Sequence, residues 1–304
     1  MTMHLDEDQV RRLLDWSDLI GAMESALAAF SAGRVIQPVR NMLTIEEGKR
    51  YLGIMPAVAE DAMGVKLVSF YPGNAGTGVP THLAMILLCR PDTGEPLAVM
   101  DGRLITEMRT AAVSAAVTRY LAPPGSRVLA LLGSGVQARA HLEALSHVCT
   151  FDEVRVWSNT PEHAERFARG HGAVAMDAES AVRDADVIVT ATNAREPILK
   201  GAWLKRGAHV NAVGSPRPTW RELDDAAMAN VLIVDSREAV LKEAGDVILS
   251  GARIYAEAGE MFAGTKPVPT GETTVFKSVG IAVEDVAAAR LVYEARLARA
   301  EARA

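Results

Sequence analysis

The stretch Arg127-Val-Leu-Ala-Leu-Leu-Gly133-Ser-Gly135-Val-Gln137-Ala138 is a short apolar run that ends in a glycine-spaced turn, and helix-forming residues follow it. The run is too short for an ordinary helix, so it predicts the order strand, tight turn, helix, which a dinucleotide-binding site requires. In that arrangement Gly133 makes the turn, Gly135 lets the backbone approach a pyrophosphate, and Ala138 allows close packing of helix on strand. The phosphates then face the free N–H groups at the positive end of the helix dipole. Taken alone, a GxGxxA pattern is equally compatible with an ordinary glycine turn.

The residues that follow this turn alternate between strand-like and helical patterns. The strand-like segments are residues 153–158, 173–176, 186–191, 209–213 and 231–235. Strands separated by helices imply right-handed crossovers and a parallel, doubly wound sheet. This context favours the dinucleotide interpretation of the glycine turn and predicts a Rossmann domain over residues 123–280.

The first part of the chain has a different texture. Residues 17–32 predict an amphipathic helix, with Ser17 as its cap and Gly33 as its stop. Short strand-like pieces joined by turn-rich loops follow, which is typical of an α+β domain built on an antiparallel or mixed sheet. Residues 105–121 predict an alanine-rich helix, and the Pro-Pro-Gly at 123–125 marks a domain boundary near residue 122. A last amphipathic helix covers residues 281–304, with Val283, Val286, Ala287 and Leu291 as its apolar stripe.

Composition excludes several classes of protein. The formal net charge of −6 argues against nucleic-acid binding, which requires a basic surface. Two cysteines far apart in sequence predict neither a disulfide framework nor a metal site. An acidic N-terminus and the lack of a membrane-length apolar run lead us to expect a soluble, cytoplasmic protein that binds no membrane.

The end of the second predicted strand indicates which nucleotide is bound. NAD-binding sites place an acidic residue there to hold the ribose hydroxyls. Here the strand ends in Ser158-Asn159-Thr160, which leaves room for a 2′-phosphate and favours NADP(H) over NAD(H). Arg155 and Arg166 are nearby in sequence, although neither is in those three positions. The alternative is that Ser-Asn-Thr only caps a helix.

Three cationic residues in the first domain are candidates for binding an anion. Arg109 lies in a helix of Ala, Val, Met and Thr, Lys66 interrupts an apolar strand, and Arg40 precedes the sheet region. A guanidinium in an apolar setting requires an anionic partner, which is either a substrate carboxylate or a protein carboxylate. Both interpretations stay open for Arg109 and Lys66, and a solvated strand end is the alternative for Arg40. The sequence contains no HExxH, CxxC, GxSxG or Walker lysine motif.

Matching stretches between about Arg40 and Tyr293 give the chain a family resemblance. They include Tyr51-Leu-Gly-Ile-Met-Pro-Ala, Lys66-Leu-Val-Ser-Phe-Tyr, Arg109-Thr-Ala-Ala-Val-Ser, Leu132-Gly-Ser-Gly-Val-Gln-Ala, Asn211-Ala-Val-Gly, Arg217-Pro-Thr-Trp-Arg-Glu-Leu-Asp-Asp and Thr273-Thr-Val-Phe-Lys-Ser-Val-Gly. On these residues the sequence resembles the ornithine cyclodeaminase/mu-crystallin family, and within it the mu-crystallin (ketimine reductase) branch.

The resemblance implies a division of roles between the domains. Residues 1–122, completed by the helix at 281–304, would bind substrate and pair with a second subunit as a homodimer. Arg40, Lys66 and Arg109 match positions that hold the carboxylate of an α-amino or α-imino acid. The implied cofactor contacts are Thr110, Gly133, Gly135, Val136, Gln137, Val213, Ser278 and Gly280.

One departure from the family pattern bears on the reaction. Cyclodeaminases and related alanine dehydrogenases carry a catalytic aspartate shortly after the Asn-Ala-Val-Gly strand, and Pro216 stands there in this chain. Proline cannot exchange a proton, whereas reduction of a C=N bond needs mainly orientation and an anchored carboxylate. We therefore predict an NAD(P)H-dependent reductase of a cyclic α-imino acid, with Lys66 and Arg109 as catalytic residues.

Three alternatives remain at this point. Two are enzymatic: an acyclic imine reductase or amino-acid dehydrogenase of the alanine or iminosuccinate type, and an ornithine cyclodeaminase. The third is a different class, a nucleotide-dependent protein that binds a small molecule without turning it over.

Overall fold

The computed structural model describes residues 2–302, and the chain forms two compact units. Unit 1 contains Met1–Arg109 together with Ile281–Ala304, and unit 2 contains Thr110–Gly280. The C-terminal helix is thus part of the N-terminal unit. Within the described residues, no helix is long and apolar enough to cross a membrane.

The division between the units falls inside helix α3 (Arg103–Leu121), whereas the sequence places it after this helix. The reason is that the second half of α3 makes its polar and aromatic contacts within unit 2. These contacts are Ser114 with His141, Thr118 with Asn211 and Tyr120 with Phe262.

Unit 1 is built on a mixed sheet. Besides the start of α3, its elements are β1 (Met3–Leu5), α1 (Glu7–Leu13), α2 (Trp16–Ser31), β2 (Asn41–Glu46), β3 (Arg50–Val58), β4 (Met63–Phe70), β5 (His82–Cys89), β6 (Pro96–Asp101) and α11 (Ala282–Glu301). In the described chain the sheet has six strands in the order β1-β6-β5-β4-β3-β2. Only β1 pairs in parallel, with β6, and every other neighbouring pair is antiparallel.

One face of this sheet is covered by α11, which also packs on α2. The alternation of side chains along β4 points Lys66 to the covered face, in one row with Met55 of β3 and Ile86 of β5. A Cβ at Gly64, on the same face of β4, would lie 2.6 Å from the carbonyl oxygen of Leu87 in β5 and 3.3 Å from Val286 of α11. The row that contains Lys66 is therefore buried beneath a helix.

The opposite face of the sheet is apolar and exposed. Leu67 of β4 is 44% exposed, and its cross-strand partner Met85 of β5 is 55% exposed. Leu83 and the β2 residue Leu43 are also exposed. An exposed apolar surface of this extent is typical of an interaction face.

Unit 2 is a doubly wound parallel sheet. Its elements are β7 (Val128–Leu132), α4 (Val136–Ser146), β8 (Glu153–Trp157), α5 (Pro161–His171), β9 (Val174–Ala175), α6 (Ala178–Val182), β10 (Val187–Thr190), β11 (His209–Ala212), α7 (Asp225–Met228), β12 (Val231–Val234), α8 (Arg237–Glu243), α9 (Gly245–Ser250), β13 (Ile254–Glu257), α10 (Ala258–Phe262) and β14 (Thr274–Lys277). Among the described residues its strand order is β13-β12-β14-β11-β10-β7-β8-β9. Every neighbouring pair is parallel.

The strand order of unit 2 reverses at β7, since the chain runs to β8 and β9 on one side and then returns to β10 on the other. Ligands of doubly wound sheets bind at the carboxyl ends of the strands beside such a reversal. The fold class predicted from the sequence, a Rossmann sheet plus an α+β domain, is confirmed.

Candidate functional site

The turn between β7 and α4 has the backbone that a dinucleotide site needs. Gly133 has φ +123°, which favours glycine, and a Cβ there would lie 2.6 Å from the carbonyl oxygen of Ala191. Gly135 is the N-cap of α4, and a Cβ there would have open space around it, with no described non-neighbouring atom within 4 Å. Ala138 is buried in the first turn of α4. A phosphate can therefore approach the backbone at Gly135 and the N–H groups of α4.

A cleft of about 560 Å³ opens over this turn, at the carboxyl ends of β7, β8 and β10. This volume is typical of small-molecule and cofactor sites. The predicted cofactor residues that line it are Gly133, Gly135, Val136, Ser158 and Asn159. Gln137 is in the first turn of α4, and its buried Oε1 accepts no hydrogen bond from the described residues. The turn, the cleft and this oxygen all fit a bound dinucleotide.

Two residues at the end of β8 differ from the sequence-based prediction. Thr160 is the N-cap of α5 and does not line the cleft. Arg155, a possible phosphate ligand, instead pairs with Glu153 and donates to the carbonyl oxygens of Ser180 and Arg183. Arg155 does not line the cleft.

The cleft contains cationic and imidazole side chains that the sequence pattern did not identify. Arg139 of α4 and His163 of α5 line it, together with Arg166, which was noted in the sequence only as being near residues 158–160. Helical spacing was the available signal, because residues three to four apart share one face of a helix. Residues 163, 166, 167 and 171 form such a face on α5, and all four line the cleft.

Besides Gln137 and Thr160, four other predicted cofactor contacts lie outside the lining of this cleft. Thr110 is half-buried in α3, and Val213 follows β11 and donates its N–H to the carbonyl oxygen of Thr190. Ser278 and Gly280 follow β14, where the Ser278 hydroxyl and the Gly280 N–H both donate to Oδ2 of Asp235. Asp235 is fully buried, and it therefore fixes the backbone after β14.

A buried ionic cluster fixes the strand ends of unit 2. Lys277 Nζ lies 2.8 Å from Oδ2 of Asp246 and donates to the carbonyl oxygen of Gly214 at 2.7 Å. Glu222 accepts from the Gly214 N–H, the Thr190 hydroxyl, and the N–H and hydroxyl of Thr192. Burial raises the pKa of Glu222, although Lys277 opposes this shift. The cluster holds the segments after β10 and β11 in place.

Pro216 lies in the segment after β11 that this cluster holds. It is exposed, and the preceding Ser215 has φ +49°, an uncommon value for a residue other than glycine. Ser215 is held by a hydrogen bond from its hydroxyl to the carbonyl oxygen of Ala194. The segment is therefore well defined but offers no proton donor at residue 216.

Two of the three cations predicted in unit 1, Lys66 and Arg109, pair with carboxylates of α11. Lys66 Nζ is 2.6 Å from Oδ2 of Asp285, and Arg109 Nε is 3.0 Å from Oδ1 of the same carboxylate. Arg109 Nη1 is also 2.5 Å from Oε2 of Glu284. All four side chains are buried. Of the two interpretations left open by the sequence, pairing with protein carboxylates is thus observed for both Lys66 and Arg109.

The charges in this cluster act on one another. Burial lowers the pKa of Lys66 to about 8, Asp285 opposes the shift, and Arg109 and Arg40 add to it. Burial alone would raise the pKa of Asp285, but Arg109 and Lys66 outweigh it and hold that pKa below its ordinary value. Arg40 is half-buried. The three predicted cations thus share one electrostatic environment.

Glu284 and Asp285 were missed from the sequence. They occupy the first turn of α11, and both are fully buried. The sequence analysis considered only the apolar stripe around them. Of that stripe, Val283 and Val286 are buried and Ala287 and Leu291 are half-buried. Two adjacent acids inside an otherwise apolar segment were the signal that could have identified them.

Unit 2 thus has the parallel sheet, glycine turn and cleft of a dinucleotide-binding protein, and unit 1 has a buried cationic cluster. The chain belongs to the ornithine cyclodeaminase/mu-crystallin family, whose sequence model matches residues 1–300. This confirms the resemblance drawn from the motifs.

Several known relatives of the chain are named as reductases, and others as alanine dehydrogenases or cyclodeaminases. The ketimine reductase mu-crystallin of Mus musculus is 55% identical over 285 residues, which cover 91% of each chain. The Δ(1)-pyrroline-2-carboxylate reductase of Thermococcus litoralis, solved with NADH and L-proline, superposes with a TM-score of 0.93 at 37% identity over 98% of each chain. An archaeal alanine dehydrogenase dimer with bound NAD gives a TM-score of 0.91 at 34% identity, over 98% of this chain and 97% of that one.

Proposed function

We propose that this protein is an NAD(P)H-dependent reductase of the C=N bond in a cyclic α-imino acid. Δ1-Piperideine-2-carboxylate and Δ1-pyrroline-2-carboxylate are the substrates that we expect. The observation that carries the proposal is the buried Lys66–Asp285–Arg109 cluster, in a chain that also has a dinucleotide cleft and is similar to ketimine and pyrroline-2-carboxylate reductases.

Arg40, Lys66 and Arg109 are proposed to bind the substrate carboxylate. The Lys66 ammonium has three N–H donors and the Arg109 guanidinium has five, so their bonds to Asp285 and Glu284 leave donors for a second carboxylate. A planar guanidinium suits the bidentate binding of a carboxylate. The protein carboxylates hold the cations in place, and the remaining donors anchor the substrate.

The proposed reaction places few demands on the protein beyond orientation. When bound, the reduced nicotinamide supplies the hydride. The chain then has to fix the imino acid and provide a proton for the nitrogen. Lys66 is the proposed proton donor, because Pro216 has no proton to exchange and a buried ammonium with a pKa near 8 is protonated at neutral pH.

We further propose that the protein prefers NADP(H) to NAD(H). No carboxylate stands at the end of β8 to bind the ribose hydroxyls, while Arg139, His163 and Arg166 line the cleft beside Ser158 and Asn159. Arginine is well suited to binding a phosphate group.

The variant Arg166→Ala tests this preference. We expect it to weaken NADPH binding about tenfold or more, as the loss of a charge-assisted contact implies, and to leave NADH binding nearly unchanged. Arg169→Ala is the matched control, since Arg169 is exposed on the same helix and does not line the cleft. Equal losses for both nucleotides would contradict a 2′-phosphate contact.

A panel of substrates tests the proposed reaction. The purified protein is mixed with NADH or NADPH and with cyclic and linear imino acids, and nucleotide oxidation is followed by absorbance. We expect turnover of the cyclic ketimines. If no imino acid is reduced with either nucleotide but an aromatic ligand binds saturably, a small-molecule binding protein would be the better description.

Amino-acid dehydrogenation is the second candidate, favoured by the likeness to alanine dehydrogenase. Its substrates would be a 2-oxo acid and ammonia. Nucleotide oxidation that requires added ammonia would establish this activity, whereas turnover of a preformed ring imine in ammonia-free buffer supports the first proposal.

We also propose that the protein is a homodimer. The exposed apolar face of the unit 1 sheet, with Leu43, Leu67, Leu83 and Met85, is the surface proposed to pair with a second copy. Exposed apolar sheet faces pack on a second sheet when strands of both carry outward apolar residues.

A further inference from the structure

Asp285 is the group that connects the two buried cations of unit 1. One of its oxygens is 2.6 Å from Lys66 Nζ, and the other is 3.0 Å from Arg109 Nε. Within residues 2–302, Asp285 is also the only carboxylate that forms an ion pair with Lys66. Arg109, in contrast, has Glu284 as a second partner. Removing the charge of Asp285 therefore affects Lys66 in a way that removing the charge of Glu284 does not.

The surroundings of Lys66 otherwise disfavour its charge. The strands on either side contribute Met55 and Ile86, which are uncharged and buried. The other charged groups that act on Lys66 are Arg109 from α3 and Arg40 from the segment before β2, and both lower its pKa. An ammonium in such a place needs an anion beside it to keep its proton.

We propose that Asp285 is a positioning residue, which fixes the Lys66 ammonium and keeps it protonated so that Lys66 donates the proton to the substrate imine nitrogen. This inference rests on the proposed function. The C=N carbon gains the hydride that the proposed function assigns to the cofactor, and the π electron pair of the double bond moves to nitrogen. An N–H bond forms on that nitrogen as one N–H bond of Lys66 breaks. Neutral Lys66 then regains a proton from solvent.

The direction of the expected pH effect follows from the charges. Lys66 donates only while it is protonated, so the rate falls as the pH rises through its pKa of about 8. Without the Asp285 carboxylate, burial and the two arginines act unopposed and the pKa of Lys66 falls further. The basic limb of the pH–rate profile then moves to lower pH.

The variant Asp285→Asn, which keeps the size of the side chain, tests this in the complete protein. Imine reduction is measured from about pH 5.5 to 10 with Δ1-pyrroline-2-carboxylate. The imine nitrogen of this substrate also titrates, but it does so equally for every variant, so differences between variants come from the protein. We expect the basic limb to move down by about one pH unit or more, as loss of an adjacent opposite charge implies. The kcat at pH 8 should fall about fivefold or more and recover partly at low pH.

Two further variants separate this role from a merely structural one. Glu284→Gln removes a carboxylate partner from Arg109 but not from Lys66. In this variant the KM for the imine should rise, while the basic limb of the pH–rate profile should stay in place. Lys66→Arg keeps a charge that does not titrate at these pH values, but arginine is too weak an acid to donate the proton. Its rate should therefore be low at every pH, and the limb near pH 8 should disappear. An Asp285→Asn enzyme that is slower by the same factor at every pH, with an unmoved limb, would overturn the inference.

A direct titration of Lys66 tests the inference without measuring activity. Lysine labelled with ¹³C at Cε is incorporated, the Lys66 resonance is assigned with Lys66→Arg, and its pKa is read from the chemical shift. The expected pKa is about one unit or more lower in Asp285→Asn than in wild type. If Asp285→Asn does not fold, Asp285→Glu is titrated, and it should hold the pKa of Lys66 near the wild-type value while Lys66 stays buried.

The outcomes for the two proposals are distinguishable. Failure of wild type to reduce any imine would refute the proposed function, and the titration would still decide whether Asp285 controls the protonation of Lys66. Imine reduction with the same Lys66 pKa in wild type and Asp285→Asn would leave the function standing and refute the role of Asp285.

Discussion

Four charged side chains are buried where α11 packs on the sheet of unit 1, two of them from α11 itself. Lys66, Arg109, Glu284 and Asp285 are all at least 95% shielded from solvent. Buried ion pairs contribute little net stability compared with well-packed apolar side chains, because removing charges from water is costly. Stability alone therefore does not account for the cluster, whereas a site that receives a substrate carboxylate does.

Substitution of Arg109 by Ala tests the cluster. Glu284 and Asp285 would lose a buried partner, so we expect the free energy of unfolding to fall by ~3–5 kcal/mol and the KM for the imino acid to rise strongly. Chemical denaturation and steady-state kinetics measure the two effects. Lys242→Ala is the control, because its pair with Glu238 is exposed and should contribute about 0.5 kcal/mol or less. Unchanged kinetics in Arg109→Ala would contradict its assignment to the substrate.

His209 makes the core of unit 2 sensitive to acid. Its Nδ1 lies 2.8 Å from the Thr274 hydroxyl, it is fully buried, and burial lowers its pKa to about 4. The unfolded chain takes up a proton near pH 6.5, whereas the folded chain does so only near pH 4. This histidine therefore contributes stability above about pH 6.5 that is lost as the pH falls towards 4.

The variant His209→Gln isolates that contribution. It is expected to be less stable than wild type at pH 7, and the gap in unfolding free energy should narrow on acidification to pH 4. The narrowing should be on the order of 3 kcal/mol, from a shift of about 2.5 units. A gap that is constant with pH would show that the folded protein protonates His209 as readily as the unfolded chain does.

At the residue scale, the sequence identified the cations but not their partners. Lys66 and Arg109 were visible because each interrupts an apolar pattern. Glu284 and Asp285 are about 175 positions away from Arg109 in the chain, and no spacing rule links residues at that separation. The two alternatives for Arg109, protein or substrate carboxylate, were therefore undecided until the fold brought α11 over the sheet.

At the scale of elements, strands with strong local patterns were predicted from the sequence, whereas strands with polar ends were not. The alternation after Gly133 predicted β8 to β12, since buried parallel strands are continuous apolar runs. The strands β13 and β14 were missed, because polar side chains bound their apolar residues: Glu257 ends β13, and Thr274 and Lys277 are the two ends of β14. Ser17 was also wrong as the cap of α2, because the Asp15 carboxylate accepts from the N–H groups of the first turn.

Two glycine variants separate a structural from a ligand-binding role at the start of α4. Gly135→Ala places a methyl group in open space at φ −86°, so stability should change little while the dinucleotide binds more weakly. Gly133→Ala places a methyl group 2.6 Å from a carbonyl oxygen at φ +123°, so it should destabilise the fold. Thermal unfolding and nucleotide titration measure these effects. Undiminished nucleotide binding by Gly135→Ala would contradict the phosphate position.

At the scale of the whole molecule, three surfaces of the two units have a proposed role. The cleft of unit 2 is expected to receive a nucleotide, and the covered face of the unit 1 sheet holds the cationic cluster. The exposed apolar face of that sheet is the surface that we propose to pair with a second copy of the chain. Sequence alternation predicted strands in this region, but with apolar residues on both faces it could not indicate which one is covered.

The variant Leu67→Glu tests pairing through this face. A charge at the centre of an apolar interface lacks a partner, so we expect the wild-type dimer to become monomeric. Size-exclusion chromatography with light scattering gives the mass. Leu241→Glu is the control, since Leu241 is 58% exposed on α8 of unit 2. A monomeric wild type, or a Leu67→Glu protein that stays dimeric, would contradict the proposed interface.

A deuterium label on the transferred hydrogen tests imine reduction itself. The purified protein is incubated with nucleotide carrying two deuterium atoms at C4 of the reduced nicotinamide and with Δ1-pyrroline-2-carboxylate or Δ1-piperideine-2-carboxylate, and the product is analysed by mass spectrometry. We predict a cyclic amino acid with one deuterium at C2, formed by wild type and in much smaller amount by Lys66→Ala and Arg109→Ala. If wild type forms no deuterated product with either nucleotide or either imine, the protein is not a reductase of these cyclic imino acids.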